Sequence, residues 1–211
     1  MTDCPKCAAG LSTPLCCEAC GVLLSPEKSP SPFEALGFEV AYAIEAKALK
    51  KRLLRLSRLT HPDFFATAPA DQRALAEENN AILNNAHEIL SDDFRRADWI
   101  VKALGGPSES DERQMPQAFL MEVLEWNEAL EDGRNAAADS SERKALATLQ
   151  TTLSAERADT LAAVAASLTP TPAPDATADA SLSAARKQLN AIRYLDRTLR
   201  ELREIALEQS A

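Results

Sequence analysis

Leucine and alanine recur at intervals of three and four along most of this 211-residue chain, the spacing that lines one face of an α-helix. The clearest run lies over residues 45–60, where Leu49, Leu53 and Leu56 share a face. It must stop at His61-Pro62, because proline disfavours helical geometry in the residue before it and has no N–H to donate. A loop, HPDFFATAP, follows. A second run, about 71–90, puts Ala74, Leu75, Ile82, Leu83, Ala86 and Leu90 on its apolar side, with Asp71 as the expected cap. Ser91-Asp92-Asp93 punctuates; Phe94, Ala97, Ile100, Val101 and Leu104 then mark a short helix that Gly105-Gly106-Pro107 ends. Three further helices are expected, from Pro116 to about Asp132, from about Ser140 to Leu168, and from about Ser181 to Glu208. The length of the last two favours an elongated antiparallel bundle. Between them, residues 169–180 carry three prolines and no large apolar side chain, as a disordered connector does. Apart from the leucines no internal repeat is visible. The expected fold class is all-α.

Composition supports this. Six glycines and 5% aromatic residues disfavour a β-sandwich or a glycine-rich nucleotide fold. No window approaches the roughly 18 consecutive apolar residues of a spanning helix, and the start, MTDCPKC, has no charged segment followed by an apolar one. A soluble, cytoplasmic chain without membrane contact is expected. Net charge is −9, from 32 acidic and 23 basic residues, so the overall field opposes non-specific binding to nucleic acid. Any basic docking face must be local.

All five cysteines fall within the first 20 residues. Cys4-Pro-Lys-Cys7 and Cys17-Glu-Ala-Cys20 form two Cys-x-x-Cys knuckles, whose four thiolates can surround one Zn²⁺ and leave no open position for catalysis. Residues 1–30 are too short to bury a core unaided, so such a structural metal would hold them folded. Cys16 competes with Cys17 as a ligand; Cys17 keeps the two-residue gap. A redox pair and an iron-sulfur cluster are the less favoured uses of these thiols.

The helix at 45–60 carries Lys47, Lys50, Lys51, Arg52, Arg55 and Arg58 against the single acid Glu45. Lys47, Lys51, Arg55 and Arg58 line one face while Leu49, Leu53 and Leu56 line another. This basic ridge leads into His61-Pro62-Asp63, a rigid turn with an acidic tip. By itself a basic helix face is most often merely solvated.

Ridge and turn together resemble the J-domain of DnaJ-type co-chaperones. Phe33-Glu34-Ala35-Leu36-Gly37, HPD with Phe65, Leu83-Asn84-Asn85-Ala86, Leu90 and Arg96-Ala97-Asp98-Trp99 are similar, in order and spacing, to the HscB family of iron-sulfur cluster assembly. Ala118-Phe119-Leu120-Met121-Glu122 and Arg193-Tyr194-Leu195-Asp196 resemble two signatures of that family's C-terminal domain, and some of its members carry an N-terminal four-cysteine module. The resemblance implies a zinc module over 1–30, a J-domain over 31–107 built as a helical hairpin, and a C-terminal three-helix bundle over 108–211. It implies that His61, Pro62 and Asp63, with Lys47, Lys51, Arg55 and Arg58, engage a DnaK- or HscA-class ATPase chaperone and stimulate it. Leu120, Met121, Leu124 and Tyr194 are then the patch that receives the scaffold protein IscU. These four are alternatively ordinary bundle core. The chain departs from the family at Phe64, where lysine is common, and at Thr60 and His87, where aromatics are common. A generic J-domain co-chaperone for another client is the alternative reading.

An enzyme finds little support. There are two histidines, His61 and His87, and no HExxH, GxSxG or Walker-type loop. Glu77 and Glu78 are adjacent on a helix and point apart. Trp99 and Trp126 are expected to pack. Nucleic-acid binding is disfavoured by the acidic total and by the lack of aromatic residues among the bases.

Overall fold

The computed structural model describes residues 3–112, 117–137, 139–173 and 180–208. It is all-α: α1 (Pro32–Leu36), α2 (Ala46–Thr60), α3 (Ala70–Ser91), α4 (Asp93–Ala103), α5 (Gln117–Asn135), α6 (Ser141–Ser167) and α7 (Ala180–Leu207), with one 3-10 turn at Pro62–Phe65. Among the described residues β-pairing is limited to two isolated bridges, Asp3 with Gly10 and Cys16 with Leu23. The chain divides into two compact units, Met1–Trp99 and Ile100–Ala211, the division falling within α4.

In the first unit α1 opens on a capping box. The Ser31 hydroxyl accepts from the Glu34 N–H at 3.1 Å, and the Glu34 carboxylate accepts from the Ser31 N–H at 2.8 Å. Gly37 ends the helix at φ 71°, a left-handed conformation that costs glycine little. The α2 helix stops at Thr60 and His61 takes an extended conformation, as Pro62 requires. Leu49 and Leu56 of α2 are buried, as are Ala76, Leu83, Ala86 and Leu90 of α3. Leu53 is only half-buried and Ala74 is exposed, so the seam is narrower than the leucine pattern implies. The helix cap differs too. Pro69 occupies the N-cap of α3, and Asp71 lies in its first turn, where a carboxylate complements the helix dipole instead of capping it. Arg96 is buried with its guanidinium donating to the carbonyls of Tyr42 and Leu90, pairing with Asp93 and lying 5.0 Å from the centre of the Tyr42 ring. This satisfies a buried charge and ties α4 to the segment before α2.

In the second unit Ser140 caps α6 through the Arg143 N–H, and Leu168 follows its last residue. The residues 174–179 of the connector lie outside the described chain, and Ala180 already belongs to α7. The α7 helix buries eleven residues, more than any other, and so supplies the centre of the bundle. Trp126 and Leu130 of α5, Leu146 and Leu153 of α6, and Leu195, Leu199, Leu202 and Ile205 of α7 form its core. Two buried polar residues extend the hold of α7: Arg186 donates to the Pro107 carbonyl at 2.9 Å and Asn190 to that of Glu112 at 2.5 Å.

A Cβ on Gly37 would run into the Ser12 carbonyl and the Arg52 guanidinium, in a backbone conformation that L side chains resist. Gly37→Ala is therefore expected to lower the stability of the first unit by about 1–3 kcal/mol, read as a lower denaturant midpoint; an unchanged midpoint would show that the α1–α2 corner is slack.

Candidate docking surfaces and metal centre

The two knuckles are copies of one backbone device, thirteen residues apart. Cys4 donates to the Ala9 carbonyl at 2.8 Å and accepts from the Ala8 N–H at 2.9 Å; Cys17 donates to Val22 at 2.9 Å and accepts from Gly21 at 2.8 Å. Ala8 and Gly21 occupy the same left-handed position, at φ 56° and 72°. A local repeat therefore exists here that the sequence conceals, because CPKCA and CEACG share only their cysteines.

The Sγ atoms of Cys4, Cys7, Cys17 and Cys20 lie within 4.8 Å of one another. The Cys4–Cys20 and Cys7–Cys17 separations are both 3.7 Å. Four sulfurs tetrahedrally placed about 2.3 Å from Zn²⁺ would sit about 3.8 Å apart, so the residues present fit that ion. Backbone N–H groups of Cys20 and Ala19 bring the Cys17 thiol down to about 7, whereas the Cys7 thiol, against the backbone N–H of Ala9, is pushed up to about 12 by its neighbouring thiols and burial; the fit to the ion rests on the placement of the sulfurs. Cys16 points the other way. It is fully buried, and burial, with Glu18 nearby, pushes its thiol up to about 12. It packs as a small apolar residue.

The module lies on the helical hairpin, within one compact unit. Leu15 and Cys16 are buried, and the Thr13 hydroxyl donates to the Ala35 carbonyl at 2.7 Å. Asn79 of α3, itself buried, donates to the carbonyls of Leu15 and Leu24 at 2.8 and 2.9 Å. Glu18, inside the second knuckle, pairs with Arg52 and Arg55 of α2. Burial alone would raise its carboxyl, but the Ser12 hydroxyl and the two arginines hold it below the usual carboxylate range. The sequence reading missed both Asn79 and Glu18, since a polar residue on a helix or loop usually faces water.

On α2, Lys47, Lys51, Arg55 and Arg58 are all exposed. The turn that follows is outward-facing: the Asp63 side chain is 87% exposed. His61 Nδ1 accepts from the Asp63 N–H at 3.3 Å. The same nitrogen lies 3.6 Å from the Asp63 carboxylate, which stays open to solvent on its other sides. Phe64 is 70% exposed, with its ring edge-on to His61 at 6.2 Å. The Thr60 side chain is turned inward, donating to the Leu56 carbonyl at 3.2 Å.

In the second unit Leu120, Met121 and Leu124 of α5 are 45%, 58% and 62% exposed, and Tyr194 of α7 is 42% exposed. They are not bundle core. Phe119 bridges the patch to the interior, edge-on to Trp126 at 5.5 Å and to Tyr194 at 6.0 Å. Trp126 is buried, and Trp99 packs against Phe33 with ring centres 5.2 Å apart and planes tilted by 50°, so both tryptophans pack as expected. Glu77 and Glu78 are exposed on α3 and His87 is half-buried.

Residues 115–203 match the family model for the HSCB C-terminal oligomerisation domain. The co-chaperone protein HscB homolog of Mannheimia succiniciproducens is 34% identical over 107 residues, 50% of this chain and 62% of that one. A Shewanella homologue is 37% identical over 106 residues, 50% of this chain and 61% of its own. The alignments thus span less than two thirds of the curated relatives. Among solved structures, chaperone HscB from Vibrio cholerae superposes with a TM-score of 0.69 at 25% identity, covering 85% of this chain and 99% of its own. Human co-chaperone protein HscB gives 0.74 at 21% identity, with 98% of each chain covered; that likeness is one of fold. No helix among the described residues is long and apolar enough to cross a membrane.

The four-thiolate geometry sets an expectation. Replacing the metal with Co²⁺ should give thiolate charge-transfer bands and the visible absorption of a tetrahedral ion, at one metal per chain by elemental analysis. Cys17→Ser should lose both, whereas Cys16→Ala should keep both; the opposite pattern would exchange their roles.

Proposed function

We propose that the chain is a member of the HscB family, acting as a cytoplasmic, non-enzymatic co-chaperone of iron-sulfur cluster biogenesis. Its first unit stimulates the ATPase of a DnaK- or HscA-class chaperone, and its second delivers the cluster scaffold protein IscU. The observation that carries this reading is the outward turn His61-Pro62-Asp63, with an exposed carboxylate at its tip and exposed cations on the helix that leads to it.

The chemistry of ATP cleavage stays in the partner. Lys47, Lys51, Arg55 and Arg58 steer and seat an acidic surface, an effect that salt screens. Pro62 fixes the turn, the His61 ring nitrogen holds the Asp63 backbone, and the Asp63 carboxylate reaches a cationic group of the chaperone. Leu120, Met121 and Leu124, with Tyr194, offer the scaffold an apolar contact, each side chain contributing about 1.5–3 kcal/mol before ordering costs. Phe119, wedged against Trp126, keeps that patch from collapsing. Zn²⁺ held by Cys4, Cys7, Cys17 and Cys20 closes the module and takes no part in hydrolysis.

In steady-state ATP turnover by a DnaK-class chaperone, the full chain should accelerate hydrolysis. Asp63→Asn should remove that acceleration with helicity unchanged by circular dichroism, and added salt should weaken it. A chain that stimulates no chaperone from its own cell yet binds RNA or DNA would defeat the proposal. Replacing Leu120, Met121 and Leu124 together by alanine should weaken scaffold binding by about 100-fold or more while ATPase stimulation persists. Joint loss of both activities, with loss of helicity, would instead make those residues structural.

A further inference from the structure

Glu18 stands between Cys17 and Cys20, two members of the four-sulfur cluster, and its carboxylate reaches out of the module onto α2. The two arginines it meets are unlike. Arg52 is a fixed part of the joint: its side chain is 17% exposed, its Nε donates to the Leu36 carbonyl at 2.8 Å and its Nη2 to the Ser12 hydroxyl at 2.8 Å. Arg55 is 65% exposed and stands in the row Lys47, Lys51, Arg55, Arg58, the same ridge that would seat a chaperone. One cation of that ridge is therefore already engaged by an anion of the same molecule.

What places the anion is the metal module. Glu18 follows Cys17 in a knuckle whose backbone is closed by the Cys17–Val22 and Gly21–Cys17 hydrogen bonds. Asn79 grips the chain on either side of that knuckle, at Leu15 and Leu24. With four thiolates drawn to one ion, Glu18 has little freedom; with the knuckles open, the ion pairs and the Ser12 hydroxyl alone would hold its carboxylate on α2, on a loop that Asn79 anchors only at its two ends.

We propose that the metal module is an intramolecular competitor for the docking ridge: closed on its metal, it holds Glu18 against Arg55, and on opening it returns Arg55 to an acidic partner. The inference rests on the co-chaperone reading and extends it, since it makes metal content a regulator of how tightly the chain docks. The control is graded. An exposed ion pair is worth little in water, so a partner carboxylate can displace Glu18 from Arg55, and the expected effect is a few-fold change in affinity.

The test measures affinity of the zinc-loaded full chain for a DnaK-class chaperone in the presence of ATP, at low salt. Glu18→Gln should bind about two- to five-fold tighter than the unaltered chain. Arg55→Ala should weaken binding less than Lys51→Ala does, but as much as Lys51→Ala once Glu18→Gln is also present. Chelating the metal should tighten the unaltered chain by a similar factor and leave Glu18→Gln where it was. Metal content and helicity, measured on each variant, separate a released carboxylate from a collapsed module. Equal affinity with and without metal overturns the inference, as does a folded, metal-loaded Glu18→Gln that binds no tighter. If Asp63→Asn abolishes binding while Glu18→Gln has no effect, only the inference fails. If the unaltered chain binds no DnaK-class chaperone, the co-chaperone reading fails with it.

Discussion

The apolar seam between α2 and α3 is the constraint on which the first unit depends. Leu49 and Leu56 on one side, and Leu83, Ala86 and Leu90 on the other, are withdrawn from water, and no polar residue could replace them cheaply. Because the helices must meet along that seam, the nine residues 61–69 between them are forced to its end. Pro62 then forbids continuation of α2, and the short turn leaves Asp63 with its carboxylate in solvent. Three residues common in any protein become a presented group only because the seam fixes where they stand.

Charge is distributed in the same spirit. A chain of net charge −9 has no general affinity for an acidic surface, so the exposed bases of α2 act as a local field against an opposing background. The metal module modifies that field, since Glu18 neutralises part of it. The module in turn is held by contacts that only the assembled hairpin provides: the Asn79 amide, the Ala35 carbonyl and the apolar floor under Leu15 and Cys16. A segment of about thirty residues with almost no core is thus stabilised by the helices beneath it, and a metal ion held by its four thiolates would stabilise it from within.

The regular parts of the fold were legible because they depend on local chemistry. The proline after α2 and the leucine spacing along the helices each act within a few residues, and the helices lie close to where those signals put them. Asp71 was misassigned because a carboxylate at the start of a helix serves equally well as a cap or in the first turn. Choosing Cys17 over Cys16 by spacing agrees with the cluster of sulfurs, whereas the duplication of the knuckle stayed hidden because it resides in backbone hydrogen bonds and a left-handed Ala8. Exposure of Leu120, Met121 and Leu124 could not be read from spacing either, since core and docking faces of a helix share one period. Asn79 and Glu18 were invisible for a different reason. Their partners lie 55 to 64 and 34 to 37 positions away, and only the folded chain brings them together.

Hydrogen–deuterium exchange of the full, metal-loaded chain with and without an ATP-bound DnaK-class chaperone tests the central claim most directly. Protection should appear along α2 from Lys47 to Arg58 and through the turn to Phe65, with little change on the core face of α3. Protection confined to α6 and α7, with the basic helix and its turn exchanging as before, would contradict the account.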